Sequence, residues 1–172
     1  MMTGQQYRDS LRKRNIKVYI KGELINSNEL IDHPFIKGHV NSAAMTYDLA
    51  HNPAYEDLMT TISHLTGKKI NRFTHIHQST EDLIKKVKML RMISQNTGTC
   101  YQRCVGFDAM NSLYTVTYEM DQKLGTDYHE RFKKYLLHIQ ETDNMVAGAM
   151  TDPKGDRGLR PGQQADPDLF VH

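Results

Sequence analysis

Cys100-Tyr101-Gln102-Arg103-Cys104 contains both cysteines of the chain, four residues apart. On a helix this spacing puts the side chains on one face a turn apart. Two thiolates could there ligate one soft metal centre, with Arg103 nearby to favour the thiolate form. The spacing differs from the Cys-x-x-Cys of common zinc pairs, and two thiolates do not fill a tetrahedral centre. The competing reading is of two buried cysteines packed as small hydrophobes. Phe73-Thr74-His75-Ile76-His77 offers a histidine pair that alternates as on one face of a strand. His-x-His also arises by chance among nine histidines. An ordinary surface or core role stays open for His75 and His77, as for His33, His39, His51, His64, His129 and His138.

Thr151-Asp152-Pro153-Lys154-Gly155-Asp156-Arg157-Gly158 is the second feature with chemical potential. Its glycines let a backbone approach a ligand closely, and Lys154 and Arg157 offer phosphate or carbonyl partners. It lacks the Gly-x-Gly-x-x-Gly of a dinucleotide turn and the Gly-Lys-Ser/Thr of a P-loop, so an ordinary polar turn competes with cofactor binding.

The elements that must position these residues are mostly helical. Thr3-x-x-Gln6 is a capping-box pattern, and Tyr7 with Leu11 predicts a short helix to about Arg14. Ile16 to Ile25 alternates around Lys21-Gly22-Glu23 and predicts a hairpin. His33-Pro34 and Gly38 read as a loop. Ser42 is then the expected cap of a helix carrying Met45 and Leu49, broken at Asn52-Pro53 and resuming through Tyr55, Leu58, Met59 and Ile62. Lys68 to Gln78 is ambiguous. Ser79-Thr80-Glu81-Asp82 starts a helix with Leu83, Val87 and Leu90 at helical spacing. The next helix is expected from about Cys100 to Leu124, ended by Gly125. A last one carries Tyr128, Phe132, Tyr135, Leu136 and Ile139. Beyond Met150 loop chemistry takes over, and Leu169-Phe170-Val171 reads as the first half of a strand.

Composition narrows the classes. The 172 residues suit one domain, and 22 Lys plus Arg against 20 Asp plus Glu leave a net charge of +2 with interspersed signs. That balance argues against nucleic acid or an anionic membrane as partner. Lys85-Lys86-Val87-Lys88 reads as a solvated helix face. There is no run of about 18 apolar residues and no apolar signal region after Met1, so a soluble cytoplasmic protein with reduced thiols is expected. Counting glycine but not tyrosine, about 39% of residues are apolar, below the ~45–50% of an average globular domain. This suits a polar monomer or a chain that is not complete on its own.

Resemblance extends this reading. Asp32-His33-Pro34, Met45-Thr46-Tyr47, Asp57-Leu58-Met59-Thr60-Thr61, Ile70-Asn71-Arg72-Phe73, His77-Gln78-Ser79-Thr80, Lys86-Val87-Lys88-Met89, Cys100 to Gly106 and Gly148 to Leu159 resemble the 4-hydroxybutyryl-CoA dehydratase branch of the flavin-dependent 4-hydroxyphenylacetate 3-hydroxylase family. The likeness covers nearly the whole chain. It implies a mainly α fold, the N-terminal helical domain of an acyl-CoA dehydrogenase-like fold, with a short β hairpin and the start of a β domain at the C-terminus. The implied division is a helical domain over 1–148 and, over 149–172, a flavin-lining loop with entry to a middle β domain.

By the same resemblance, Cys100 and Cys104 match two metal ligands of a 4Fe-4S cluster whose remaining ligands lie outside this chain. Gln102 matches an active-site glutamine. Thr151, Asp152, Pro153, Lys154, Gly155, Asp156, Arg157 and Gly158 match the FAD-lining loop. The family's active-site tyrosine and glutamates are expected beyond His172, in a missing C-terminal portion of the subunit. The implied enzyme is a homotetramer that converts an acyl-CoA substrate, 4-hydroxybutyryl-CoA, to crotonyl-CoA and isomerises vinylacetyl-CoA, in anaerobic fermentation of 4-aminobutyrate. Competing expectations are a flavin-dependent aromatic monooxygenase, which needs no cluster, and a catalytically inert helical assembly or metal-binding fragment.

Overall fold

Local capping sets several helix starts in the computed structural model, which describes residues 1–98, 100–148 and 155–166. Helix α1 spans Gly4–Arg12 behind the Thr3–Gln6 capping box, in which side chain and backbone satisfy each other's free donors. Strands β1 (Val18–Ile20) and β2 (Glu23–Ile25) pair antiparallel as expected. Lys21 and Gly22 form the turn with φ of 52° and 86°, the two positive values that a tight hairpin requires.

A short α2 (Ser27–Leu30) leads into α3 (Pro34–Leu49). Here the structure corrects the expected loop and the expected Ser42 cap. Proline's fixed φ suits the first helical turn, and the His33 ring accepts the Phe35 N–H at 3.2 Å. Ser42 lies mid-helix, its hydroxyl donating to Gly38 O at 2.9 Å. The expected continuation past Pro53 is also corrected. Only α4 (Glu56–Met59) forms, and Ile62 lies in β3 (Thr60–Ile62), paired antiparallel with β4 (Lys69–Asn71).

A 3-10 turn over Arg72–Thr74 follows. Arg72, almost fully buried, donates to Leu58 O at 2.7 Å, Asp57 O at 3.0 Å and Thr60 O at 2.8 Å. It thereby satisfies carbonyls at the end of α4 that have no helical partner. Its third arm reaches Asp82 of α5 (Thr80–Thr97) at 3.2 Å. Ser79 caps α5 as expected. The apolar spacing misjudged its inward face, because Leu83 and Val87 are exposed whereas Met89 and Ile93 are buried.

Helix α6 spans Cys104–Leu124 and α7 spans Tyr128–Thr142, joined by a short turn at Gly125. Asp121 of α6 accepts the Tyr128 and His129 N–H groups, each at 2.9 Å, and so caps its neighbour. Of the residues expected on α7, Phe132, Leu136 and Ile139 are buried, while Tyr128 and Tyr135 face solvent.

Three apolar clusters result. Tyr7, Val40, Ala44 and Tyr47 lock α1 to α3. Met59, Phe73, Met89, Ile93, Tyr101 and Phe107 gather α4, α5 and the start of α6. Ile76, Met110, Phe132, Leu136 and Ile139 hold α6 to α7. Among the described residues no helix is long and apolar enough to cross a membrane. The strand expected at 169–171 lies outside the described residues.

Candidate functional site

The segment 100–104 alternates between solvent and core. Cys100 and Gln102 are exposed, Tyr101 and Arg103 are buried, and Cys104 is half-buried. Helix α6 begins only at Cys104, so the expectation that both cysteines share one helix is corrected. The physical reason is the inward pull on Tyr101 and Arg103. A helix through Cys100 would spread four successive residues around its axis and could not bury those two while leaving their neighbours in water. Gln102 completes the alternation by adopting a left-handed backbone, φ 65°, which costs a residue other than glycine roughly 1 kcal/mol or more.

Arg103 is the fixed point. Its guanidinium lies between the rings of Tyr47 at 4.2 Å and Phe73 at 4.5 Å. It donates to Thr46 Oγ1 at 3.2 Å and to Asp143 Oδ1 at 3.5 Å. The other Asp143 oxygen accepts the Met2 N–H at 3.0 Å. Burial raises the Asp143 carboxyl, opposed by Arg103 and by the Met2 hydrogen bond. Arg103 is thus committed to aromatic rings and a carboxylate in the core, which corrects its expected role beside the thiols. Tyr101 packs on Phe73 at 6.0 Å, and its phenol is pushed up to about 12 by burial, with Cys104 and then Cys100 adding to the rise.

The segment after α7 crosses the start of α6. A Cβ on Gly106 would sit 1.9 Å from Val146 O, and one on Gly148 would sit 2.2 Å from Val105 Cγ1. The chain thus reaches Gly148 beside Val105, one residue from Cys104, before entering the second predicted feature. Of that feature, Thr151, Asp152, Pro153 and Lys154 lie outside the described residues. Gly155, Asp156, Arg157 and Gly158 are in a loop that closes on itself: Asp156 Oδ1 accepts the Gly158 N–H at 2.8 Å, and Gln164 bonds Asp156 at both N (2.9 Å) and O (2.7 Å). Arg157 is exposed.

As donors, Cys100 and Cys104 are free thiols. Among the described residues no group of three His, Cys, Asp or Glu is arranged to hold a metal ion. The His75 and His77 pair does not join it. His75 is buried, with Nε2 3.2 Å from Asp82 Oδ2 in poor alignment for a hydrogen bond and Nδ1 without a partner among the described residues. His77 packs on Phe107 at 5.0 Å. Burial is the main cause that lowers the pKa of His64, His75 and His77, although only His75 is fully buried, with His77 half-buried and His64 at the surface. Asp82 is held down at about 2: burial opposes its charge, but the Gln78 N–H, His75 and Arg72 together outweigh that.

A cleft of about 540 Å³ between Arg12–Lys17 and Leu24–Glu29 holds none of the predicted site residues. Sequence reasoning missed the anchoring roles of Arg72, Arg103 and Asp143. No local pattern marked them, because their partners lie 10 or more residues away along the chain.

The profile of the family described as 4-hydroxyphenylacetate 3-hydroxylase N terminal matches residues 3–172. The chain is 58% identical over 171 residues to a 4-hydroxybutyryl-CoA dehydratase/vinylacetyl-CoA-Delta-isomerase of Clostridium aminobutyricum, covering 99% of this chain and 34% of that protein. It is 26% identical to the oxygenase component of a 4-hydroxyphenylacetate 3-monooxygenase of Thermus thermophilus, covering 98% and 34%. The chain thus spans about a third of the length of the curated relatives it matches. Among solved structures, an oxygen-tolerant archaeal 4-hydroxybutyryl-CoA dehydratase from N. maritimus superposes with a TM-score of 0.85 at 52% identity, over 98% of this chain and 33% of the other. A 4-hydroxyphenylacetate 3-monooxygenase oxygenase component complexed with FAD and 4-hydroxyphenylacetate superposes at 0.70 and 24% identity, over 97% and 34%, a likeness of fold.

Proposed function

Since the chain belongs to the 4-hydroxyphenylacetate 3-hydroxylase N-terminal family, we propose that it forms the N-terminal part of a dehydratase that converts 4-hydroxybutyryl-CoA to crotonyl-CoA and isomerises vinylacetyl-CoA. The observation that carries this reading is the Cys100–Cys104 segment. Two free thiols flank an exposed, left-handed Gln102, beside the point where the chain passes Val105 toward 149–158. The 58% identity to a dehydratase of that activity supports the choice of branch.

In this reading Cys100 and Cys104 are two ligands of a 4Fe-4S cluster, and the polypeptide beyond this chain supplies the rest. Gln102, held outward between them, orients a neighbouring group by hydrogen bonding. The stretch Thr151 to Gly158 lines FAD, its glycines admitting close approach and Lys154 and Arg157 offering charge. When bound, the flavin supplies one-electron exchange with the acyl group and the cluster supplies a Lewis-acidic position. This chain's part is to hold and orient them and to exclude water at the buried Tyr101 side. The helical region over 1–148 and the loop over 149–172 belong to an acyl-CoA dehydrogenase-like subunit that assembles as a homotetramer, in the cytoplasm of a cell that ferments 4-aminobutyrate.

The test is an anaerobic purification followed by assay of iron, acid-labile sulfide and flavin, on this chain and on a polypeptide extended to the relatives' length. Iron, sulfide and FAD near stoichiometry in the extended form support the dehydratase. Flavin without iron favours an aromatic monooxygenase, and neither favours an inert fragment. Cys104→Ala in the extended polypeptide is expected to abolish iron and sulfide, and retained iron would refute the ligand assignment.

A further inference from the structure

We propose that Arg103 is the positioning residue of the thiol pair, acting through the backbone of Gln102 and Cys104 and not by contact with either sulfur. The inference rests on the reading of Cys100 and Cys104 as metal ligands. Its evidence is the way the guanidinium is held. The cation is almost fully buried, enclosed by Tyr47 from α3 and Phe73 from the 3-10 turn, and bonded to Thr46 and Asp143. Those four partners come from three separate parts of the chain. Thr46 is itself anchored, its hydroxyl donating to Ala43 O at 2.6 Å, and Asp143 is anchored by the Met2 N–H.

Such a planar cation between two rings has one orientation that satisfies its donors, and lysine cannot reproduce it. The adjoining backbone must then meet a fixed Cα on one side and the α6 start on the other. Gln102 takes the strained left-handed conformation that closes this gap. The direction in which Cys100 leaves the core, and the distance over which it can meet Cys104, follow from that turn. Tyr101, packed on the same Phe73 ring, limits motion from the other side. Loss of Arg103 therefore frees the turn to relax and separates the thiols.

The test uses cobalt(II) alone as the metal probe on the reduced polypeptide extended to the relatives' length, which carries the remaining ligands of the proposed site, read by sulfur-to-cobalt charge-transfer absorption, with thermal unfolding as the measure of fold. Arg103→Lys is expected to weaken cobalt binding about tenfold or more, the range seen when residues that orient metal ligands are changed. Leu136→Ala, in the α6–α7 cluster and not among the partners of Arg103, serves as the control: it lowers thermal stability and leaves cobalt binding at the wild-type level. Thr46→Val removes a single hydrogen bond to Arg103 and carries the test if Arg103→Lys does not fold, with a smaller weakening in the same direction. Wild-type cobalt affinity in a folded Arg103→Lys or Thr46→Val chain would overturn the inference while leaving the ligand assignment intact. A wild-type extended polypeptide without the charge-transfer band would overturn the ligand assignment and the inference with it.

Discussion

Histidine burial gives the chain a pH dependence that belongs to single residues. His64, His75 and His77 each have a depressed pKa, chiefly because burial disfavours the charged ring. The unfolded chain then binds protons that the folded chain rejects. The resulting stability is full above the unfolded value of about 6.5 and is lost as pH falls below it. The midpoint of thermal unfolding should drop between pH 7.5 and pH 5, and His75→Gln should flatten that drop. An unchanged slope in His75→Gln would show that His75 is not a main source. Asp82, held at about 2, acts in a lower window. Its stabilisation, on the order of 1–2 kcal/mol, is present above the unfolded carboxylate value and disappears as pH falls toward 2. Asp82→Asn should lose that stability at neutral pH and show a shallower acid limb in urea titrations at pH 5, 4 and 3.

Elements were legible where their signals are local. The Thr3 capping box, the Lys21-Gly22 turn and the Ser79 cap each act over three or four residues, and each forms as read. The misread elements depend on distant partners. Ile62 has the spacing of a helix residue, but it lies in β3 because β4 pairs beside it in register with Lys69. Leu83 and Val87 fit a helical stripe yet stay exposed, since only the Met89 and Ile93 side of α5 meets a neighbour. Gly106 shows the same dependence. Val146, forty residues on, passes over it at backbone distance. Gly106→Ala should force that crossing apart and cost about 2–3 kcal/mol, with amide exchange rising in 143–148 before α7 itself is affected. If the loss is below about 0.5 kcal/mol, the size of an ordinary surface change, the crossing is not as tight as described.

At the scale of the molecule, three modest clusters share few residues, and buried Arg103 joins two of them through Tyr47 and Phe73. Phe107 links the largest cluster to the histidine segment through His77. The chain should accordingly unfold in one transition, with far-ultraviolet circular dichroism and tyrosine fluorescence coincident. Phe107→Ala should lower that single transition by about 3–5 kcal/mol. Two separated transitions would mean that the clusters are independent. The sequence by itself determined the helical class, the starts of α1, α5 and α7, the first hairpin and the placement of a cysteine on either side of Gln102, because capping, turn geometry and spacing are properties of a few adjacent residues. Only the tertiary structure decided that Cys100 lies outside the helix, that Arg103 turns inward, and that the chain after α7 returns to the cysteines. Those outcomes depend on Asp143, Tyr47 and Val146, each about forty or more residues from the segment they constrain, and no local pattern encodes a partner at that distance.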